Sequence, residues 1–223
     1  MPAKGVGVKA IVVAGGDAAP DDAALLRGAG LVIAADSGAE WLDEQRRLPD
    51  VLVGDLDSID SGLLDRLTAQ GVTIERHEAE KDASDAELAL ARAVSEGADE
   101  VVILGGIGGQ RLDHELANLL LLADRRWAML NLRIARGGAV VRAVRDGQEV
   151  ELQGEPGDLV TLLPIGGDAS GVTTKGLRYP LLGETLSFGR TRGLSNEVEH
   201  APASVSLERG TLLVIETGKE PRP

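Results

Sequence analysis

VLVGDLDS, residues 51–58, sets a four-residue apolar run against a glycine and then two aspartates spaced i, i+2. An apolar run without polar alternation reads as a strand buried on both faces, and such strands belong to parallel sheets covered by helices. The same texture recurs in AIVVAG (10–15), LVIAA (31–35), VTI (72–74), VVILG (101–105) and LRIA (132–135). Between these runs lie amphipathic stretches at 20–28, 37–46, 60–70, 84–96 and 113–125. In ELALARAVSEG (87–97) the apolar positions Leu88, Ala91 and Val94 mark a helical stripe, with Gly97 as its stop. This β-α-β alternation predicts an α/β N-terminal domain with a parallel sheet.

After Gly137-Gly138 helical periodicity fades. Short β-rich runs follow at 139–144, 149–152, 158–163, 203–207 and 211–215, punctuated by DG, GEPGD and GGDASG. They predict a C-terminal all-β sandwich domain. The expected division is therefore 1–137 and 138–223.

Composition narrows the function. A net charge of −13 among 223 residues argues against nucleic acid, which needs a basic footprint. Aromatics are 2% of the chain, too few for a base-stacking platform. No cysteine is present, which excludes disulfides and thiol nucleophiles and fits a reducing, cytoplasmic setting. No apolar run approaches the roughly 20 residues of a membrane helix. An anionic ligand on so acidic a chain calls for a bridging cation, such as a metal ion.

In parallel sheets ligands bind outside the carboxyl ends of the strands. Acids follow four of the expected strands: Asp17, Asp36, the pair Asp55 and Asp57, and Asp113 beside Arg111. In an extended segment Asp55 and Asp57 would point to one side and repel unless a cation sits between them. Their hard oxygens suit magnesium. The alternative is that they form a turn and cap the helix at 60–70. EKDASDAE (80–87) carries the same ambiguity. Ser84-Asp85-Ala86-Glu87 matches a capping box, yet Asp85 could complete a metal site, with Lys81 or Ser84 touching phosphate.

GGIGGQRLDHELAN (105–118) places four glycines in five positions directly after a strand. Gly106, Gly108 and Gly109 let the backbone approach a ligand, and their N–H groups favour phosphate. Arg111 adds a planar fork for phosphate oxygens. The stretch is neither a Walker A loop nor a clean G-x-G-x-x-G, and no G-x-x-x-x-G-K-[ST] occurs anywhere. His114 reads most simply as a helix-start residue. Asn118 faces either the same cleft or solvent. Ser195 and Asn196 in TRGLSNE (191–197) are either turn residues or ligand contacts.

Six stretches in order are similar to the thiamine diphosphokinase (thiamine pyrophosphokinase) family, bacterial type: ADSGAEWL, PDVLVGDLDSI, EKDASDAELAL, LGGIGGQRLDHELANLLLL, GVTTKGLRYPL and FGRTRGLSNE. The resemblance implies a Rossmann-like ATP-binding domain followed by a thiamine-binding β-sandwich. It implies transfer of diphosphate from ATP to the hydroxyl of thiamine, with AMP released, in a homodimer. On matching positions, Asp55, Asp57 and Asp85 would hold Mg2+, with Asp36 nearby. Lys81, Ser84, Arg111 and the glycines would meet phosphate. Asp113, Asn118, Ser195 and Asn196 would serve the substrates, and Asp113 or Asp36 could take the hydroxyl proton. Animal members place a tryptophan against thiamine. None follows Trp127 here, leaving Tyr179 and Phe188 as aromatic candidates. Two other readings share the nucleotide half: a diphosphokinase for a pterin alcohol, and a non-catalytic nucleotide-binding regulator.

Overall fold

The computed structural model describes residues 7–78, 80 and 82–218. These divide into two compact units. One runs through Leu121 and resumes at Met129–Gly137; the other takes Leu122–Ala128 and the chain from Gly138 on.

The first unit carries the apolar runs as β1 (Val8–Val13), β2 (Leu31–Ala35), β3 (Val51–Gly54), β4 (Thr73–Arg76), β5 (Ala98–Leu104) and β6 (Asn131–Arg136). All pairings are parallel, in the order β6-β5-β1-β2-β3-β4. The centre is apolar on both faces, as the unbroken runs require: Ile11, Val12, Ile33, Leu52, Val53, Val102 and Ile103 are all fully buried. The connections contain α1 (Gly38–Glu44), α2 (Ser61–Ala69), α3 (Asp85–Ser95) and α4 (Leu112–Leu121).

Three local expectations change. The stretch 20–28 forms a 3-10 turn over Pro20–Leu26 rather than an α-helix. Buried Asp22 accepts from the Ala19 amide (2.8 Å) and the Gly137 amide (2.9 Å), a local bond that competes with regular helix. In α3 the buried stripe is Ala86, Ala89, Leu90 and Ala93, not Leu88, Ala91 and Val94; Val94 is exposed. The i, i+3, i+4, i+7 spacing selects that face, and its alanines let the helix lie close to the sheet. The last helix stops at Leu121 instead of 125. Arg145 donates to the carbonyls of Leu122 and Asp124, and the Asp124 carboxylate caps a new 3-10 turn by accepting from Arg126 N at 2.8 Å.

The second unit is all-β: β7 (Ala139–Arg145), β8 (Glu149–Glu151), β9 (Leu159–Pro164), β10 (Ala169–Lys175), β11 (Leu182–Leu186), β12 (Asn196–Glu197), β13 (Ser204–Ser206) and β14 (Thr211–Thr217). Within it one antiparallel ladder runs β12-β9-β14-β7 and another β11-β10-β13-β8. Residues of both ladders, among them Val144, Leu162, Val172 and Val205, share one buried cluster. Strands β10 to β12 lay hidden in the sequence. Ala169-Ser170-Gly171 resembles turn chemistry, yet Ala169 and Val172 belong to that cluster and Thr174 is buried as well.

Candidate active site

The carboxyl ends of β1, β2 and β5 and the N-terminal ends of α3 and α4 surround a cleft of about 440 Å3. Of the residues singled out from sequence, Asp36, Ser84, Asp85, Gly106, Gly109, Arg111 and Asn118 line it. Asp17, Ser58, His114 and Glu115 line it too. Asp55, Asp57, Gly108 and Asp113 do not. Lys81 lies outside the described residues.

The acids after β2 and β3 meet. One carboxylate oxygen each from Asp36, Asp55 and Asp57 lies within 4.8 Å of the others. Extended alternation is not what brings Asp55 and Asp57 together. Leu56 between them is left-handed (φ 65°), and Asp57 N donates to Asp55 Oδ1 at 3.2 Å, which folds the segment into a tight turn. Asp36 is left-handed as well (φ 48°). Non-glycine residues in that region cost on the order of 1–3 kcal/mol and gather at functional sites. Neither Asp55 nor Asp57 caps the following helix. That cap is Asp60, whose Oδ1 accepts from Leu63 N at 2.9 Å.

The hydrogen bond to Asp55 and the charge of Asp55 hold the Asp57 carboxyl above its ordinary range, with Asp36 and Asp85 adding to the repulsion. Ser58 Oγ donates to Asp36 Oδ2, while Asp36 Oδ1 is buried without a hydrogen-bond partner. An orphaned buried oxygen among three hard carboxylates fits a divalent cation. The sequence groups Asp85 with the pair. Asp36 is the acid whose oxygen lies within 4.8 Å of both, and the charge of Asp85 adds to the repulsion on Asp57.

Across the cleft, Arg111 Nε and Nη2 donate to the two oxygens of Asp113 at 2.9 and 2.7 Å. The guanidinium beside it holds the Asp113 carboxyl well below the usual carboxylate range. With both oxygens engaged, the carboxylate orients the Arg111 guanidinium. Asn118 is buried, and its Nδ2 donates to the Gly106 carbonyl at 2.9 Å. It anchors the glycine loop from beneath. Ser84 caps α3 by accepting from Glu87 N at 3.2 Å, so the capping reading of that stretch holds.

In the second unit a smaller cavity of about 190 Å3 is lined by Leu162, Tyr179, Pro180, Leu181, Arg192, Gly193, Leu194 and Asn196. The Asn196 carboxamide, expected at the ligand, borders this cavity and also bonds backbone. Oδ1 accepts from Tyr179 N (3.0 Å) and Glu197 N (2.9 Å), and Nδ2 donates to Tyr179 O (2.7 Å). Ser195 is exposed and left-handed (φ 56°), and its amide donates to Thr161 Oγ1 at 3.0 Å. Tyr179 is exposed and carries the Arg178 guanidinium 5.7 Å from its ring centre. Phe188 is exposed and does not line the cavity.

Ser58 was missed by sequence reasoning. Its signal was there: a hydroxyl one residue beyond the acid pair, within reach of a third acid from the neighbouring strand.

Two family models match the chain: thiamin pyrophosphokinase, catalytic domain, over residues 23–134, and thiamin pyrophosphokinase, vitamin B1 binding domain, over residues 148–212. The thiamine pyrophosphokinase of Bacillus subtilis is 29% identical over 185 residues, 83% of this chain and 86% of that protein. Thiamine pyrophosphokinase 1 of Oryza sativa subsp. japonica is 26% identical over 183 residues, 76% of this chain and 67% of its own length. The crystal structure of the Bacillus subtilis enzyme matches with a TM-score of 0.85 at 27% identity, covering 95% of this chain and 100% of that one. That of the Geobacillus thermodenitrificans enzyme matches at 0.81 and 26%, covering 94% and 97%.

Proposed function

The chain belongs to the thiamin pyrophosphokinase family, and from that premise we propose that it transfers the diphosphate of ATP to the hydroxyl of thiamine, giving thiamine diphosphate and AMP. It is a transferase. The observation that carries the reading is the carboxylate trio Asp36, Asp55 and Asp57 beside a glycine-floored cleft. We assign ATP to the first unit, used as a Rossmann-like nucleotide domain, and thiamine to the second.

Asp36, Asp55 and Asp57 would hold Mg2+, with the charge of Asp85 close by. Bound there, the ion neutralises polyphosphate charge that an acidic protein would otherwise repel. Among the chain's own residues, Arg111 and the amides of 105–109 bind phosphate oxygens, and Asp113 keeps the Arg111 fork aimed. Asn118 fixes the loop that presents those amides. Asp36, which borders the cleft, and Asp113, paired with Arg111, are the two candidate proton acceptors.

In the second unit Tyr179, Pro180 and Leu194 offer the apolar surface for the thiamine rings, and Ser195 offers an exposed hydroxyl. Asn196 supports Tyr179 rather than reaching the ligand itself. The vitamin B1 model over 148–212 favours thiamine over a pterin alcohol, and the complete acid set favours an enzyme over a silent regulator. We place the enzyme in the cytoplasm as a homodimer that does not bind nucleic acid. No helix among the described residues is long and apolar enough to cross a membrane.

Phosphorus NMR of the protein with Mg2+, ATP and thiamine tests the reading. AMP and thiamine diphosphate should rise together without ADP. Appearance of ADP, or unchanged ATP in the presence of thiamine, would overturn it.

A further inference from the structure

Two backbone loops floor the cleft, one after β1 at residues 15–17 and one after β5 at residues 105–110. They lie against each other without intervening side chains. Gly16 N donates to the Gly105 carbonyl at 3.0 Å. A Cβ on Gly16 would stand 2.4 Å from that oxygen, and one on Gly105 would stand 2.5 Å from the Ala14 oxygen. Such packing lets backbone approach a ligand closely, but it leaves the loops without side-chain anchors of their own.

Arg136, at the end of β6, supplies one from outside the cleft. Its Nε donates to the Asp17 carbonyl at 3.0 Å. The same guanidinium fills the space beside Gly108, where a Cβ would stand 2.2 Å from Nε and 2.4 Å from Cζ. One residue later, Gly137 N donates to Asp22 Oδ1 (2.9 Å), whose other oxygen accepts from Ala19 N (2.8 Å). Asp22 is 3% exposed. The segment 17–22 is thus stitched to residues 136 and 137 at both ends, with Gly108 held against the guanidinium.

We propose that Arg136, backed by Asp22, is a positioning residue for the nucleotide: it clasps the two loops that floor the cleft in register, so that the glycine loop after β5 keeps the shape the phosphates meet. This rests on the reading of that cleft as the ATP site. Arg136 does not line the cleft and acts through the loops. A lysine could still donate to Asp17 O, but it lacks the planar group that packs on Gly108.

The test uses the full chain as wild type, Arg136→Ala and Arg136→Lys. Titration calorimetry with Mg2+ and α,β-methylene ATP is read beside steady-state kinetics and melting temperature. Arg136→Ala should bind the analogue about tenfold more weakly, the scale of one lost hydrogen bond to a charged group. Arg136→Lys should recover roughly half of that loss on a logarithmic scale. KM for ATP should rise in parallel, with kcat and KM for thiamine changed less than about twofold and the melting temperature within about 2 °C. Analogue binding equal to wild type in Arg136→Ala would overturn the clasp. So would a weakening that comes with an equal rise in KM for thiamine and a fall in melting temperature, which is general loosening. If the wild type itself does not bind the analogue, the ATP reading of the cleft fails, and the clasp with it.

Discussion

Asp57→Asn and Asp60→Ala, made as a pair, separate what the two acids do. They stand three residues apart in one turn, yet the structure gives them different work. Asp60 caps α2 through a 2.9 Å bond to Leu63 N. Losing such a cap costs about 1 kcal/mol, which at this chain length lowers the melting temperature by about 2–4 °C. Its carboxylate is outside the trio, so kcat/KM should stay within about threefold. Asp57 caps nothing and faces two other carboxylates within 4.8 Å. Neutralising it relieves repulsion, so without added metal the variant should melt at or slightly above the wild-type temperature. It should nonetheless lose more than the roughly 100-fold that changes behind a metal's direct ligands can cost. Millimolar Mg2+ should raise the melting temperature of wild type and Asp60→Ala by mass action, and should not move Asp57→Asn. Scanning calorimetry with and without Mg2+, with coupled AMP detection for turnover, reads each of these outcomes. An Asp57→Asn protein that melts as low as Asp60→Ala and keeps its Mg2+ shift would refute the assignment: Asp57 would then be structural and the cation held elsewhere.

Asn118→Ala leaves the buried Gly106 carbonyl unpaired, so urea unfolding should show a loss of about 1–3 kcal/mol, and KM for ATP should rise with KM for thiamine unchanged. Asn196→Ala should do the reverse: it frees Tyr179, so KM for thiamine rises several-fold, about the value of one or two hydrogen bonds, while ATP binding measured alone is unaffected. A thiamine KM equal to wild type would separate Tyr179 from the substrate. The Asp124 carboxyl is held below its ordinary range, first by the Arg126 side chain and then by the Arg126 amide. A group depressed on folding contributes stability above its unfolded pKa of about 3.9 and loses it as pH falls toward the folded value. Asp124→Asn should therefore be less stable than wild type at pH 7 in urea melts, with the difference closing below about pH 4; a constant difference across that range would show that the charge is not involved.

The parallel half was legible because burial on both faces leaves a mark in one dimension. VLVG, LVIAA and AIVVA have no polar face, and each lies in the sheet as read. Strands β10 and β11 left no such mark. They carry Gly, Ser, Thr and Glu because one side meets solvent, and Gly171 and Gly183 read as turns. What decides them is the partner ladder, a property of three dimensions. The site divides along the same line. That Asp55 and Asp57 stand at a strand end followed from local spacing. Their convergence did not follow from extended geometry; it depends on Leu56 turning left-handed, which an apolar side chain does not advertise. Asp36 entered the trio because β2 and β3 are neighbours in register, Ala35 opposite Val53, so the residues just beyond them come together.

The resemblance gives Asn118 and Asn196 to the substrates, while their local pattern leaves a solvated helix face and a turn open. Both border a cavity and are buried carboxamides that clamp backbone lining the same cavity, Gly106 in one unit and Tyr179 in the other. An amide side chain carries donors and an acceptor together, so it can satisfy both halves of a distorted peptide segment where a hydroxyl or carboxylate satisfies one. Sites built from irregular backbone have unpaired amides and carbonyls to satisfy before any ligand arrives. Asparagine near such a site is therefore as apt to serve the loop as the ligand, and only a coordinate for its neighbours distinguishes the two. The same logic covers Arg136, whose distance of 119 residues from the Asp17 carbonyl it holds kept it out of every local pattern.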